Sequence, residues 1–405
     1  MKIMVRALLV SGLVLATLWL VGCGHYSCGA TFGNSNCSAS GGGLNQGNGG
    51  NPTGDAYIYI ADPGGIQGLT INVSKGTIVD NCTPSTCPAG IPGSALSEAA
   101  VIAQTKFLYV EYPSIGDIFG WTIAADGTLA SISGVSPFPV GYLVGGTVGG
   151  TQTMMTNPSG TLLFVLDPVD VEVRVYQIGS SGSLTEAAGS PVALPSGFAP
   201  FNMAIDGQGK YLYVSNIVGG ASTTEIAAYN ISTLTAVTGS PFLSSANSQF
   251  GLMQMQGDAS GKYLIGTKDA IQNADTNLYV LSIAANGSIT PVGSVPTVNP
   301  PDLVTVQPNA GGTLVYSITI AGLAVGGPVE GFTLNLSTGA LTSNGAPTAA
   351  ASDWAQFDQS GTFLFARDLF SKDLSVYKVS GDSALTTPVA SVGWVDGAWA
   401  PTDIP

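Results

Sequence analysis

Seven copies of one six-residue pattern, spaced about 51 residues apart, constrain this chain more than anything else in it. The copies are Tyr57-Ile-Tyr-Ile-Ala-Asp62, Phe107-Leu-Tyr-Val-Glu-Tyr112, Leu162-Leu-Phe-Val-Leu-Asp167, Tyr211-Leu-Tyr-Val-Ser-Asn216, Tyr263-Leu-Ile-Gly-Thr-Lys268, Leu314-Val-Tyr-Ser-Ile-Thr319 and Phe363-Leu-Phe-Ala-Arg-Asp368. Their starts lie 50, 55, 49, 52, 51 and 49 residues apart, and the third position is aromatic in six of the seven. A fixed period of this size marks a unit that cannot bury its apolar face alone and must stack on copies of itself.

Each copy sits in the same context. Upstream is a polar turn with glycine, as in Asn157-Pro-Ser-Gly160, Asp206-Gly-Gln-Gly209, Asp258-Ala-Ser-Gly261 and Asp358-Gln-Ser-Gly361, which is hairpin chemistry. Downstream comes an alternating segment such as Val173-Arg-Val-Tyr-Gln-Ile178, then a second glycine turn at Asp126-Gly127, Ser181-Gly182, Asn286-Gly287 or Thr338-Gly339. A short fourth strand follows and runs into Gly-Ser-Pro or a variant at Gly189, Gly239 and Gly293. Four antiparallel strands repeated seven times predict an all-β fold, a seven-bladed β-propeller over residues 55–405. A β-sandwich would not generate the period. The first repeat lacks an innermost strand of its own, while Trp399-Ala-Pro-Thr-Asp403 parallels Trp354-Ala-Gln-Phe-Asp358 of the seventh. The C-terminal strand is therefore expected to pair into the first blade and close the ring, removing an open sheet edge.

With Gly209-Lys-Tyr-Leu-Tyr-Val-Ser-Asn216, its six weaker copies and the Gly-Ser-Pro ends in place, residues 55–405 resemble the seven-bladed lactonase-like propellers, the 6-phosphogluconolactonase-like group. The resemblance implies the fold, and lactone hydrolysis as one activity the fold supports. Lactonases of the group carry a Pro-Arg-His element at the start of an innermost strand. The corresponding places here read Pro200-Phe-Asn202, Pro301-Asp302-Leu303 and Ser352-Asp353-Trp354, with neither Arg nor His.

The N-terminus points to export. Lys2 and Arg6 precede an apolar run from Ala7 to Gly22, shorter than the roughly 20 residues a spanning helix needs. Its end, Leu20-Val21-Gly22-Cys23, resembles the lipobox of bacterial lipoproteins, in which the cysteine is acylated and becomes the new N-terminus. An ordinary cleaved signal with a chance cysteine is the alternative. Residues 1–22 are read as the signal peptide, Cys23 as the lipidation site and residues 23–54 as a Gly/Ser/Asn-rich tether. Gly24 in place of aspartate implies, by the same resemblance, the outer membrane or cell surface. The remaining cysteines fall into two local pairs, Cys28 with Cys37 and Cys82 with Cys87, expected as disulfides in an exported chain.

Composition removes several function classes. The chain has 11 basic and 25 acidic residues, a net charge of −14, with the acidic groups dispersed. Nucleic-acid binding needs clustered Lys and Arg and is not expected. The one histidine, His25, precedes the propeller, so triad, Cys-His and His-metal chemistries are excluded from it. No metal site or resident cofactor is expected, although carboxylates on adjacent blades at Asp302 and Asp353 are of the kind that suits Ca²⁺.

Propeller geometry brings the starts of innermost strands and the ends of second strands to one rim of the central channel. The rim candidates are Asn202, Gln249, Asp302 and Asp353 from the first column, and Asp62, Asp167, Asn216, Lys268 and Asp368 from the second. Long connections, Ile217 to Glu225 and Asp269 to Asn277, leave this rim, and loops of that kind carry recognition. The plain alternative is that Asp and Asn at strand ends fix turns. The aromatic column Tyr59, Tyr109, Phe164, Tyr213, Tyr316 and Phe365 is expected to pack between blades. The functional expectation is a lipid-anchored, monomeric envelope module that binds a protein, glycan or small molecule at the rim. A lactone or sugar hydrolase, with or without a cation, is the competing reading.

Overall fold

All seven repeat segments are strands, and each is second in a small antiparallel sheet. The computed structural model describes residues 56–403 except 63–64, 73–76, 81–98, 113–114, 133–136, 141–152, 217–224, 244–251, 253, 269–274, 310, 321–325, 346–350, 353, 369–372, 380–389 and 394–397. Strands Phe107–Tyr112, Leu162–Asp167, Tyr211–Asn216 and Phe363–Asp368 coincide with the sequence segments, whereas Tyr263–Thr267 stops one residue short and Leu314–Ile320 runs one residue longer. Seven such sheets form a ring, a seven-bladed propeller, with no helix among the described residues. The cysteines, the leader and the tether lie outside the described residues.

Ring closure follows the expected route. Ala398–Asp403 is the innermost strand of blade 1 and pairs antiparallel with Ala56–Asp62, from Ala56 opposite Asp403 to Ala61 opposite Ala398. Blade 1 thus takes its inner strand from one end of the chain and its other three from the beginning of the propeller.

The apolar core is divided among the joints between blades. Successive strand residues point to opposite sheet faces, so Tyr57, Tyr59 and Ala61 pack against blade 2 while Ile58 and Ile60 pack against Phe363 and Phe365 of blade 7. Each of the seven apolar clusters straddles two neighbouring blades in this way. With both faces covered, the second strands are apolar nearly throughout, which is why the repeat reads as a run rather than as an alternation.

In four blades the polar turn before the second strand is built by a buried side chain. Asp206 Oδ1 accepts the backbone N–H groups of Lys210 and Tyr211, both at 2.6 Å. Asp258 and Asp358 do the same for Lys262 with Tyr263 and for Thr362 with Phe363, and Asn157 substitutes its amide oxygen in blade 3. Asp258 and Asp358 are fully buried, so each carboxylate replaces backbone acceptors that a tight turn lacks.

Tyrosine hydroxyls then tie blade to blade. Tyr59 donates to the Gly127 carbonyl of blade 2 at 2.9 Å, Tyr109 to Gly182 of blade 3 at 2.7 Å, and Tyr213 to Gly287 of blade 5 at 3.1 Å. The acceptors are the glycines of the turn between third and fourth strands. These glycines are required twice over. Gly287 has φ +83°, and a Cβ there would stand 2.5 Å from the ring of Tyr211, the first-position aromatic of the preceding blade. Gly287→Ala is expected to lower stability by about 3 kcal/mol, from left-handed strain plus overpacking. Chemical denaturation reads this directly, and an unchanged midpoint would mean the ring and turn adjust freely.

One expectation needs refinement. Gly-Ser-Pro does not end the fourth strand but interrupts it. In blade 3 the outer strand is two pieces, Leu184–Glu186 and Val192–Ala193, both pairing with Glu172–Ile178, and Gly189-Ser190-Pro191 lies between them. The serine explains the motif: Ser190 Oγ accepts the Val175 N–H that the interrupted strand leaves open, at 2.9 Å, and Ser240 Oγ does so for Ala228. Blade 5 instead keeps one strand, Ile289–Pro296, with a register shift opposite Gly293.

Candidate functional site

Starts of innermost strands and ends of second strands do meet at one mouth of the ring. Pro200 pairs with Asn216, Gln254 with Thr267, Leu303 with Ile318 and Trp354 with Arg367. Two connections on this face are long, 217–225 and 268–276 between second and third strands of blades 4 and 5, while 168–171 of blade 3 is short; the opposite face carries the short Asp and Gly turns. Of the sequence candidates, Gln249 and Asp353 lie outside the described residues, and Asp62 and Asp368 are placed as strand-terminal residues.

The amide and carboxylate candidates that are described serve the fold. Asn202 is 1% exposed; its Nδ2 donates to Gln254 Oε1 at 2.8 Å and its Oδ1 accepts the Met255 N–H at 3.2 Å. It therefore caps the channel edge of the next blade's innermost strand, which has no further strand to pair with. Gln256 repeats the device one blade on, accepting the Val306 N–H at 3.0 Å. Asn216 is also buried, and its Oδ1 accepts the Ala199 N–H at the entry of its own blade. Asp302 is fixed through its backbone, donating to the Ile318 carbonyl and accepting Thr267 Oγ1, both at 2.9 Å.

Ion-paired clusters stand at two places on the rim. In blade 3, Asp167 Oδ1 accepts the N–H groups of Val169 and Asp170, and Oδ2 lies 3.5 Å from Arg174 Nε. Arg174 also reaches Glu172 at 2.8 Å and Asp170 at 3.7 Å. The oxygens of these three acids approach within 4.8 Å of one another, a spacing that could hold a cation, but the guanidinium already sits among them. In blade 5, Lys268 Nζ is 3.5 Å from Asp275 Oδ2 and 4.6 Å from the centre of the Tyr279 ring, while Tyr279 donates to the same carboxylate at 2.6 Å. Burial pushes the Asp275 carboxyl up, but hydrogen bonds from Tyr279 and Asn277 and the Lys268 ammonium outweigh it and hold the group below its ordinary value. The cluster clasps the two ends of the 269–274 connection.

Buried carboxylates that sequence reasoning did not single out complete this face. Glu111, 1% exposed at the end of the blade 2 second strand, accepts Thr153 Oγ1 of blade 3 at 3.1 Å. Glu330 accepts the Val298 and Asn299 N–H groups at 3.0 and 3.2 Å, tethering the passage from blade 5 to blade 6. Gln254 and Gln256 carried a readable signal, two amides at alternate positions of an otherwise apolar inner strand, with Asn202 one repeat earlier.

No family model matches the chain, and no curated protein is similar to it in sequence. Solved structures do match. The periplasmic gluconolactonase of Pseudomonas aeruginosa superposes with a TM-score of 0.61 at 14% identity, covering 86% of this chain and 99% of that one. A protein of unknown function from Desulfotomaculum acetoxidans gives 0.57 at 14% identity, covering 87% and 100%. A Bacteroides fragilis protein provisionally named a 6-phosphogluconolactonase gives 0.55 at 15% identity, covering 85% and 99%. These likenesses show the fold, a seven-bladed β-propeller.

Proposed function

We propose that this chain is an exported, lipid-anchored binding module of the cell envelope, and that the rim with the long connections is its recognition surface. One observation carries the reading. Four of the described polar groups of that rim are spent on the fold: Asn202, Asn216 and Asp167 are buried and bonded to backbone, to a neighbouring amide or to Arg174, and Lys268 is held by Asp275. Catalytic acid or base chemistry needs a group within reach of substrate with a proton to give or take. Binding needs only loops of varied sequence on a stiff scaffold, which the ring supplies. The leader ending in Cys23 supports anchoring, and the likeness to a periplasmic gluconolactonase supports an exported location.

That likeness also favours the competing reading, a lactone hydrolase, through the fold alone, and fold is a weak warrant for chemistry. The two are separated by following acid release from gluconolactone and butyrolactone. We expect the uncatalysed rate. Turnover above it that disappears in Asp302→Ala would establish the hydrolase instead. For the binding reading, retention on purified cell-envelope fractions is expected to fall when 217–224 and 269–274 are both replaced by Gly-Ser segments of equal length. Retention that does not change would remove the rim from the reading.

A further inference from the structure

The joint between blades 3 and 4 departs from the pairing seen at four other joints, and a half-open groove lies where it departs. At joints 1 to 2, 2 to 3, 4 to 5 and 5 to 6, an aromatic first-position residue (Tyr57, Phe107, Tyr211, Tyr263) faces a left-handed glycine of the next blade, Gly127, Gly182, Gly287 or Gly339. A Cβ on Gly339, for example, would stand 2.5 Å from the Tyr263 ring. At joint 3 to 4 the first position is Leu162, and the glycine is replaced by Leu234.

The turn itself is unchanged. Asn230 Oδ1 accepts the Ser232 and Thr233 N–H groups as Asn335 accepts those of Ser337 and Thr338, and the Leu234 N–H bonds to the Asn230 carbonyl as Gly339 does to Asn335. Leu234 therefore keeps the left-handed backbone, φ +52°, that its glycine counterparts adopt without strain. A half-open groove of about 530 Å³ lies there.

Its apolar lining is Leu162, Val175, Ile231 and Leu234. Lys210 is the one charged residue among those that line it, in a chain of net charge −14. It is exposed and has no carboxylate at ion-pair distance among the described residues. The neighbouring Asp206 carboxylate is buried and occupied by turn N–H groups.

We propose that this groove binds a small amphipathic organic anion, an aromatic or branched apolar body bearing one carboxylate or sulfonate, with the body between Leu162 and Leu234 and the anion at Lys210. The site is formed by the short-turn face, away from the rim, so it stands or falls independently of the binding function proposed there.

The test uses purified full-length protein with two fluorescent probes of one shape, anilinonaphthalenesulfonate and the uncharged phenylnaphthylamine. Leu162→Tyr with Leu234→Gly restores the pairing of those four joints. We expect this double variant to keep or raise the melting midpoint and to lose the binding of both probes. Lys210→Met, with an unchanged midpoint, should weaken the sulfonate about tenfold, the size of one charge-assisted contact, and leave the neutral probe unaffected. Equal binding of both probes by the parent and the folded double variant would overturn the site. Equal affinity of Lys210→Met and the parent for the sulfonate would overturn its anion preference.

Discussion

Removing residues 398–405 is expected to unfold the propeller cooperatively rather than fray one edge. Ala398–Asp403 pairs over six registers with Ala56–Ala61 and is the only inner strand blade 1 has. Without it Ala56–Asp62 becomes an open edge facing the channel. The direct loss is about 3–6 kcal/mol, taking roughly 1 kcal/mol net for each ladder hydrogen bond. That is comparable with the roughly 5–15 kcal/mol that separates folded from unfolded states of a domain. The ring makes the loss global, because blade 1 contributes to two of the seven apolar clusters, one shared with blade 7 and one with blade 2. Thermal unfolding followed by circular dichroism should show a midpoint lower by 10 °C or so, or no folded baseline. A shortened chain that melts with the parent would show that the strand is an ornament.

Alkaline pH should dismantle the same ring through its tyrosines. Burial raises Tyr59, Tyr109 and Tyr213 well above the ordinary value of 10.0, and raises Tyr176, Tyr229 and Tyr316 to about 12. A hydroxyl whose folded pKa is raised contributes stability that is complete below the unfolded value and lost as pH climbs through the folded one. Each tyrosine then costs about 1.4 kcal/mol per pH unit above 10, so Tyr59, Tyr109 and Tyr213 together cost about 4 kcal/mol per unit. Unfolding is expected within roughly two units above pH 10, with tyrosinate absorbance and loss of β-structure rising together. Tyr213→Phe should reduce the steepness while costing about 1 kcal/mol at neutral pH from the lost bond to Gly287. Tyrosines that ionise near pH 10 with the strands intact would show that the hydroxyl bonds do not hold the joints.

Most of the architecture was legible in the sequence, and the reason lies in the period. Second strands are buried on both faces, so their apolar runs survive in every repeat, and Trp399-Ala-Pro-Thr-Asp403 carried enough of the inner-strand pattern to reveal closure. The tyrosine column was read correctly as joint packing, but not its hydroxyl bonds, because donor and acceptor lie 68 to 74 residues apart, on neighbouring blades. The rim was legible as a location and not as chemistry. Asn202 stood at the expected strand start, yet it faces an unpaired N–H of the adjoining blade rather than the channel mouth, and only the three-dimensional offset between blades shows which. Glu111 and Glu330 were hidden by the same offset, since each meets a connection or inner segment of the adjoining repeat. Leu234 was hidden differently: a leucine in a loop gives no sign of a left-handed backbone until its turn is laid over that of Gly339.

The tyrosine and glycine halves of a joint sit on different blades, and this decides how such a chain can be altered over time. Blade 4 presents Leu234 to blade 3 and Tyr211 to blade 5, whereas blade 6 presents Gly339 to blade 5. Exchanging blades 4 and 6, though each is a complete four-stranded unit, would press a leucine into the Tyr263 ring and leave Leu162 facing a glycine. Inheritance should therefore act on halves of neighbouring blades together. A chain re-cut to begin elsewhere in the ring keeps every joint, whereas a shuffled one does not.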